Sequence, residues 1–163
     1  MGYSAEEIEK KAREDEKANK ELVKSLKKRP PGNLDDLAQS AHDKAFKKID
    51  CLTCANCCRS LGPRLIDKDI ERIAKHLKIK SSVFIQTYLR IDEDGDFVFR
   101  EMPCPFLEAD NKCRVYEYRP KACREYPHTD RKKFHQILDL TLKNAYVCPA
   151  VNDILGQLRV LKK

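Results

Sequence analysis

The sequence predicts a mainly α fold with a small β-hairpin, a small cysteine-rich domain stapled by metal. Three observations lead there. Apolar residues recur at helical spacing in several separate segments. A single Asp94-Gly95 turn is followed by the strand-like run Phe97-Val98-Phe99. Finally, eight cysteines lie in a chain of 163 residues with 41% hydrophobic residues and no Trp, and so small a core calls for a staple.

The elements follow in order. Residues 4–29 read as a solvated helix with Ser4 as N-cap and Glu7 three residues on, a capping-box pattern. Glu6–Lys10, Glu7–Lys11, Glu9–Arg13 and Glu16–Lys20 stand at i,i+4 with the acid first, the better orientation. Ile8, Ala12, Leu22, Val23 and Leu26 are its sparse apolar residues, which suits an exposed arm or a contact with an unknown protein partner. Arg29-Pro-Pro-Gly-Asn33 breaks the chain, and Asn33 caps a second helix to about residue 48. Its stripe runs Leu34, Leu37, Ala38, Ala41, Ala45, Phe46 and Ile49. After the first cysteines, Asp67 is the expected N-cap of a helix over 68–78 that buries Ile70, Ile73, Ala74 and Leu77. Ser81 or Ser82 caps a short helix, 83–89. A hairpin spans 91–99, and the proline-rich stretch from Pro103 to Pro127 predicts rigid turns. Residues 132–142 are ambiguous between strand and helix, and a last helix covers about 150–161. The chain is expected to divide into a charged helical N-terminal arm, 1–32, and a cysteine-cluster metal-binding domain, 33–163.

The polar opening Met1–Lys10 lacks the apolar stretch of a secretory signal, and Glu6 breaks a myristoylation pattern. No apolar run reaches the length of a membrane span. A cytoplasmic protein is therefore expected. There thiols stay reduced, and clustered cysteines point to metal or catalysis rather than disulfides. The formal net charge is +7, but eight metal-bound thiolates with two divalent ions would lower it to about +3. The basic stretches 17–29 and 131–133 also lack interleaved aromatics, so nucleic acid binding is disfavoured.

Four cysteines, Cys51, Cys54, Cys57 and Cys58, fall within eight residues, whereas Cys104, Cys113, Cys123 and Cys148 are scattered. All eight are candidate metal ligands. A C-x2-C turn aims two sulfurs at one ion. Cys51, Cys54 and Cys57 extend it to C-x2-C-x2-C, the spacing that wraps three corners of a [4Fe–4S] cluster, with a distant Cys-Pro supplying the fourth thiolate. Cys104-Pro105 and Cys148-Pro149 are both available for that. A zinc ribbon would want a second C-x2-C, which is missing. An iron–sulfur cluster is preferred to zinc by a small margin. Adjacent Cys57 and Cys58 should diverge, so either one is not a ligand or each serves its own centre. The count suits two four-cysteine centres, or one centre with spare core thiols.

Other chemistry is sparse. Asp92, Asp94 and Asp96 do not make a calcium loop, because the glycine comes too early and Pro103 stands where the closing glutamate belongs. There is no GxGxxG, P-loop or HExxH, hence no small-molecule cofactor motif and no catalytic residue to assign. His42 and His76 read as surface residues and His135 as a surface or core residue, with His128 a reserve ligand. Arg59, Arg114, Arg119 and Arg124 sit near cysteines, as expected for charge compensation of a thiolate-rich centre.

The run Cys51–Cys58 resembles the signature of the CxxCxxCC cysteine-cluster family of zinc- or iron-chelating domains. The similarity continues through Asp67–Leu77, Cys104-Pro-Phe-Leu107, Cys113-Arg-Val-Tyr116, Arg119-Pro120, Cys123-Arg-Glu-Tyr-Pro127 and Cys148-Pro149. It covers roughly residues 50–160 and leaves the first 48 outside. The resemblance implies metal chelation through these cysteines and no particular activity. Some family members resemble flagellin lysine N-methylases, which are longer chains, so the alternative to a metal-binding module is a metal-dependent enzyme such as a protein methyl-transfer or redox catalyst.

Overall fold

The computed structural model describes residues 3–161. Positions 1, 2, 162 and 163, at the ends of the expected arm and domain, lie outside the described residues. In chain order the helices are α1 (Ala5–Glu14), α2 (Glu16–Lys28), α3 (Leu34–Phe46), α4 (Cys51–Cys54), α5 (Asn56–Ser60), α6 (Asp67–His76), α7 (Ser81–Tyr88), α8 (Lys121–Glu125), α9 (Leu138–Asn144) and α10 (Pro149–Leu161). Strands β1 (Leu89–Ile91) and β2 (Phe97–Phe99) pair antiparallel, and 3-10 turns cover Tyr116–Tyr118 and Phe134–Ile137. The mainly α class with one hairpin is therefore as the sequence predicts. Two compact units result: Met1–Asn56 with Pro127–Lys163, and Cys57–Tyr126.

In the first unit, α3 packs along α10. Ala38, Ala41 and Ala45 present small side chains on α3, and Val151, Ile154, Leu155 and Leu158 are buried on α10. The expected helix 4–29 is two helices meeting at Asp15, whose carboxylate pairs with Lys11 at 3.1 Å and Arg159 at 3.2 Å. The capping box forms: Ser4 Oγ accepts the Glu7 amide at 3.1 Å and the Glu7 carboxylate accepts the Ser4 amide at 3.0 Å. Glu7 is thereby committed to Ser4 and Lys11 to Asp15, whereas Glu9–Arg13 and Glu16–Lys20 pair as expected. The solvated-arm expectation is corrected. Ile8, Ala12, Leu22, Val23 and Leu26 are all buried, α2 packs on α9 and α10, and Arg159 reaches the buried Asn19 at 3.1 Å. Few apolar residues suffice because they share one stripe.

Asn33 heads α3 without a side-chain cap. Asp35, in the first turn of α3, is drawn to a distant segment instead, where its carboxylate accepts the Lys133 and Phe134 amides at 2.8 and 2.9 Å. Those bonds start the Phe134–Ile137 turn where Lys133 adopts φ 58°, and resolve the ambiguous 132–142 stretch as 3-10 followed by α9.

In the second unit, α6 and α7 pack on the hairpin around Leu65, Ile70, Ile73, Phe84, Leu89 and Phe99. The turn holds Gly95 at φ 82°, which glycine adopts without steric cost. Phe106 lies at the centre of the aromatic group, 5.0 Å from Tyr88, 5.8 Å from Phe99 and 6.2 Å from Phe84 between ring centroids. Ile66, not Asp67, occupies the N-cap position of α6, and Asp69 accepts its amide at 3.1 Å. Lys80 likewise precedes α7, which begins at Ser81. Among the described residues no helix is long and apolar enough to cross a membrane.

Candidate metal centre

The eight cysteines divide between the two units. In the second unit, Cys58, Cys104, Cys113 and Cys123 come from four separate segments and lie within electrostatic reach of one another. The Cys104 amide donates to the Cys58 carbonyl at 2.8 Å, which fixes the backbones of two of them together. The turn after Cys104 aims the Phe106 and Leu107 amides at its sulfur. Phe106 is buried, and its carbonyl accepts the Arg114 amide at 2.8 Å, so the same turn holds the chain beside Cys113. The Cys113 sulfur accepts from the Val115 amide. Amides that point at sulfur stabilise a thiolate and tune a bound metal.

Cys123 rides on α8, whose placement depends on Asp69. This carboxylate is 1% exposed and accepts from Arg72 at 2.7 Å and from the Lys121 amide at 3.1 Å. Arg72 also donates to the Arg119 carbonyl at 2.9 Å. One buried acid and one arginine thus hold the segment that leads into Cys123.

In the first unit, α4 carries Cys51 and Cys54, capped by Asp50, which accepts the Leu52 amide at 2.9 Å. Ala55 follows in the left-handed region at φ 48° and ends the turn. Cys148 lies immediately before α10, and its sulfur accepts from the Val151 and Ala150 amides. Its thiol feels those of Cys51 and Cys54. Buried Asn56 donates to the Val147 carbonyl at 2.9 Å and ties the two stretches together.

Cys57 departs from expectation. Its thiol does not diverge from Cys58 but hydrogen-bonds to it. That bond holds the Cys58 thiol down at about 7, against the effect of burial and with help from Arg59. Burial pushes Cys104 up to about 11 and Cys148 up to about 12, and raises Cys113. Packed surroundings push the Cys123 thiol up as well, although the residue is partly open to solvent.

The arginines split in role. Arg59 favours the Cys58 thiolate, and Arg119 favours those of Cys113 and Cys123 while covering the Tyr116 ring at 3.9 Å. Arg114 instead stacks on Phe106 at 5.3 Å. Among the histidines, His42 bonds Thr129 at 2.8 Å and His76 stacks on Tyr118 at 4.1 Å. His128 stands in the first unit at φ 67°, and His135 is exposed.

The donor chemistry suits a soft, thiophilic ion: thiols only, amides facing sulfur, guanidinium groups nearby. Among the described residues no three His, Cys, Asp or Glu side chains stand close enough to hold an ion as they are.

The matching family description covers residues 50–148: CxxCxxCC, "Putative zinc- or iron-chelating domain". The chain belongs to this family. The matched stretch runs from Asp50, the cap of α4, to Cys148 at the head of α10, and so includes every cysteine. Neither curated proteins nor solved structures give a match. Asn56, Asp69, Arg72 and Phe106 are the supporting residues that sequence reasoning missed. Their contacts are long-range and leave no local pattern in the sequence.

Proposed function

We propose that this CxxCxxCC protein binds metal through thiolates, with Cys58, Cys104, Cys113 and Cys123 as the principal set, and that the metal staples the second unit. The observation that carries this reading is the convergence of four thiols from separate segments, two of them met by backbone amides. Four thiolates suit either a tetrahedral zinc ion or an iron–sulfur cluster. A resident metal of either kind supplies cross-links among segments that have little regular structure of their own. The cluster would add one-electron chemistry as well.

Within this reading the protein's own residues have definite roles. Phe106 and Leu107 present amides to Cys104, Arg59 and Arg119 offset thiolate charge, and Asp69 with Arg72 holds α8 in place. A cytoplasmic setting follows from the same chemistry, because the ligands must stay reduced.

Anaerobic purification with elemental analysis and a visible spectrum tests the proposal. Iron with sulfide and a brown colour assigns a cluster, and stoichiometric zinc in a colourless protein assigns a structural ion. A well-folded protein that takes up neither metal overturns the reading.

A further inference from the structure

We propose that the groove between α2 and α9, within the first unit, is a docking site for an acidic peptide segment of a partner protein, one that carries an aliphatic side chain among its carboxylates. This goes beyond the metal-binding reading and does not depend on it.

The groove follows from the way α2 packs. Leu22, Val23 and Leu26 are buried, so the apolar stripe of α2 is used inside the unit and offers no face to a partner. What α2 leaves open is one flank. Lys20, Lys24, Lys27 and Lys28 stand at i, i+4, i+7 and i+8, which puts them on the same side of the helix, and all four are exposed. With Asp139 of α9 they edge a cavity of about 510 Å³, whose apolar lining is Val23 of α2 and Leu142 of α9. Binding sites for small ligands and side chains commonly have that size.

The charges around the cavity are not balanced. Lys20 pairs with Glu16 on its own helix, and Lys27 reaches across to Asp139 at 2.7 Å. Lys24 and Lys28 have no acidic partner among the described residues. Two ammonium groups one helical turn apart, about 6 Å along the axis, therefore line a cavity whose one carboxylate among the described residues is already engaged. Carboxylates complement them, and the Val23 and Leu142 side chains favour an aliphatic group in the same place. From Lys20 to Lys28 the helix rises about 12 Å, the length of about four residues of extended chain.

Other polyanions suit the groove less well. Single-stranded nucleic acid is held by aromatic stacking and arginine, and among the described residues neither lines this cavity. A membrane surface is held by apolar side chains that protrude beside the basic ones, whereas those of α2 are buried.

The test is fluorescence anisotropy with the full chain and labelled synthetic peptides. The probe is a short peptide of repeating Glu-Glu-Leu, and two comparison peptides replace its Glu by Gln or its Leu by Ser. The probe is expected to bind, less tightly as salt is added, and each comparison peptide to bind roughly tenfold more weakly. Lys24→Gln with Lys28→Gln should weaken the probe by roughly tenfold. Both side chains are exposed and Gln suits a helix, so circular dichroism and Tm should stay at wild type. Asp139→Asn releases Lys27 and should tighten binding roughly two- to fivefold. Lys68→Gln with Lys75→Gln makes the same change of charge on α6, at exposed positions, and should leave binding near wild type. The proposal is overturned if the Lys24 and Lys28 pair has no effect, or if the α6 pair weakens the probe equally, which would reduce the attraction to net charge. A Ser peptide that binds as well as the Leu peptide overturns it too, because the apolar lining would then have no part. So does a failure of the probe to bind, including the case in which a single-stranded RNA oligonucleotide or a phosphatidylserine vesicle binds in its place.

Discussion

The amide of Cys104 donates to the carbonyl of Cys58 at 2.8 Å, which joins the end of the cysteine cluster to the proline-flanked loop that begins the scattered set. Around this bond the second unit has a real apolar core, with Phe84, Phe99 and Phe106 buried, but the loops from Cys104 to Tyr126 contain only short helical turns. Loss of metal should therefore loosen those loops more than α6 and α7. A metal at about a thousand times its Kd stabilises by about 4 kcal/mol, which corresponds to roughly 10 °C in Tm for a chain of this size. Chelation is expected to lower Tm by that order and to speed amide exchange first in residues 104–126. Unchanged Tm and exchange after complete metal removal would contradict the staple.

Asp69 and Arg72 make a second prediction. Removing one partner of a buried pair leaves the other charge or its hydrogen-bonding partners uncompensated, at a cost of about 3 kcal/mol. Asp69→Ala strands Arg72 and the Ile66 and Lys121 amides together. Denaturant unfolding should show the loss. The metal affinity of the Cys123-dependent site should also fall, because α8 is no longer anchored. If Asp69→Ala unfolds at the wild-type midpoint, the carboxylate has no holding role.

Regular elements were legible because their apolar residues keep a period. Ile70, Ile73 and Ala74 mark the buried face of α6, and Asp94-Gly95 marks the hairpin. The Ser4–Glu7 capping box is a local pattern and was legible for the same reason. What escaped was held by long-range bonds. Asp35 caps a turn that starts at Lys133, and Asn56 reaches Val147; neither leaves a periodic trace. The burial of the N-terminal helices was hidden by their charge, since a narrow apolar stripe looks like a solvated helix until α9 and α10 are known to cover it. The candidate ligands could be named from residue type and spacing. Their division could not, because Cys57 and Cys58 are neighbours in sequence and only the fold places Cys148 with Cys51 and Cys54.

Phe106 supplies a third prediction. Its ring fills the middle of the aromatic group, and its amide faces the Cys104 sulfur. Phe106→Ala should cost about 3–5 kcal/mol through the cavity alone. Phe106→Leu should recover much of that stability, and it keeps the amide, so metal affinity should stay near wild type. Isothermal titration of the Leu variant checks the second half. A large drop in affinity there would mean that the ring, not the backbone turn, organises Cys104.

The acid–base behaviour of the thiols separates the metal-free from the metal-bound protein. Burial raises Cys104 from its ordinary 9.0 to about 11 and Cys148 to about 12. A thiol raised in the folded state favours keeping its proton there. Its contribution to stability is complete below about pH 9 and is lost as pH climbs through 9 toward 11 and 12. The metal-free protein should therefore lose Tm across that alkaline window, and Cys148→Ala should flatten part of the fall. Metal reverses the dependence. Ligation needs thiolates, so binding expels protons, and affinity falls as the solution is acidified. Cys58, held down at about 7 by its hydrogen bond from Cys57, gives up its proton more readily than the buried Cys104, Cys113 and Cys123 and is the natural first donor of that set. The loaded protein should thus hold its Tm through the alkaline window and shed metal on the acid side. Thermal melts of both forms over one pH series test the pair together. A metal-free protein that gains stability between pH 9 and pH 11 would reverse the sign of the argument.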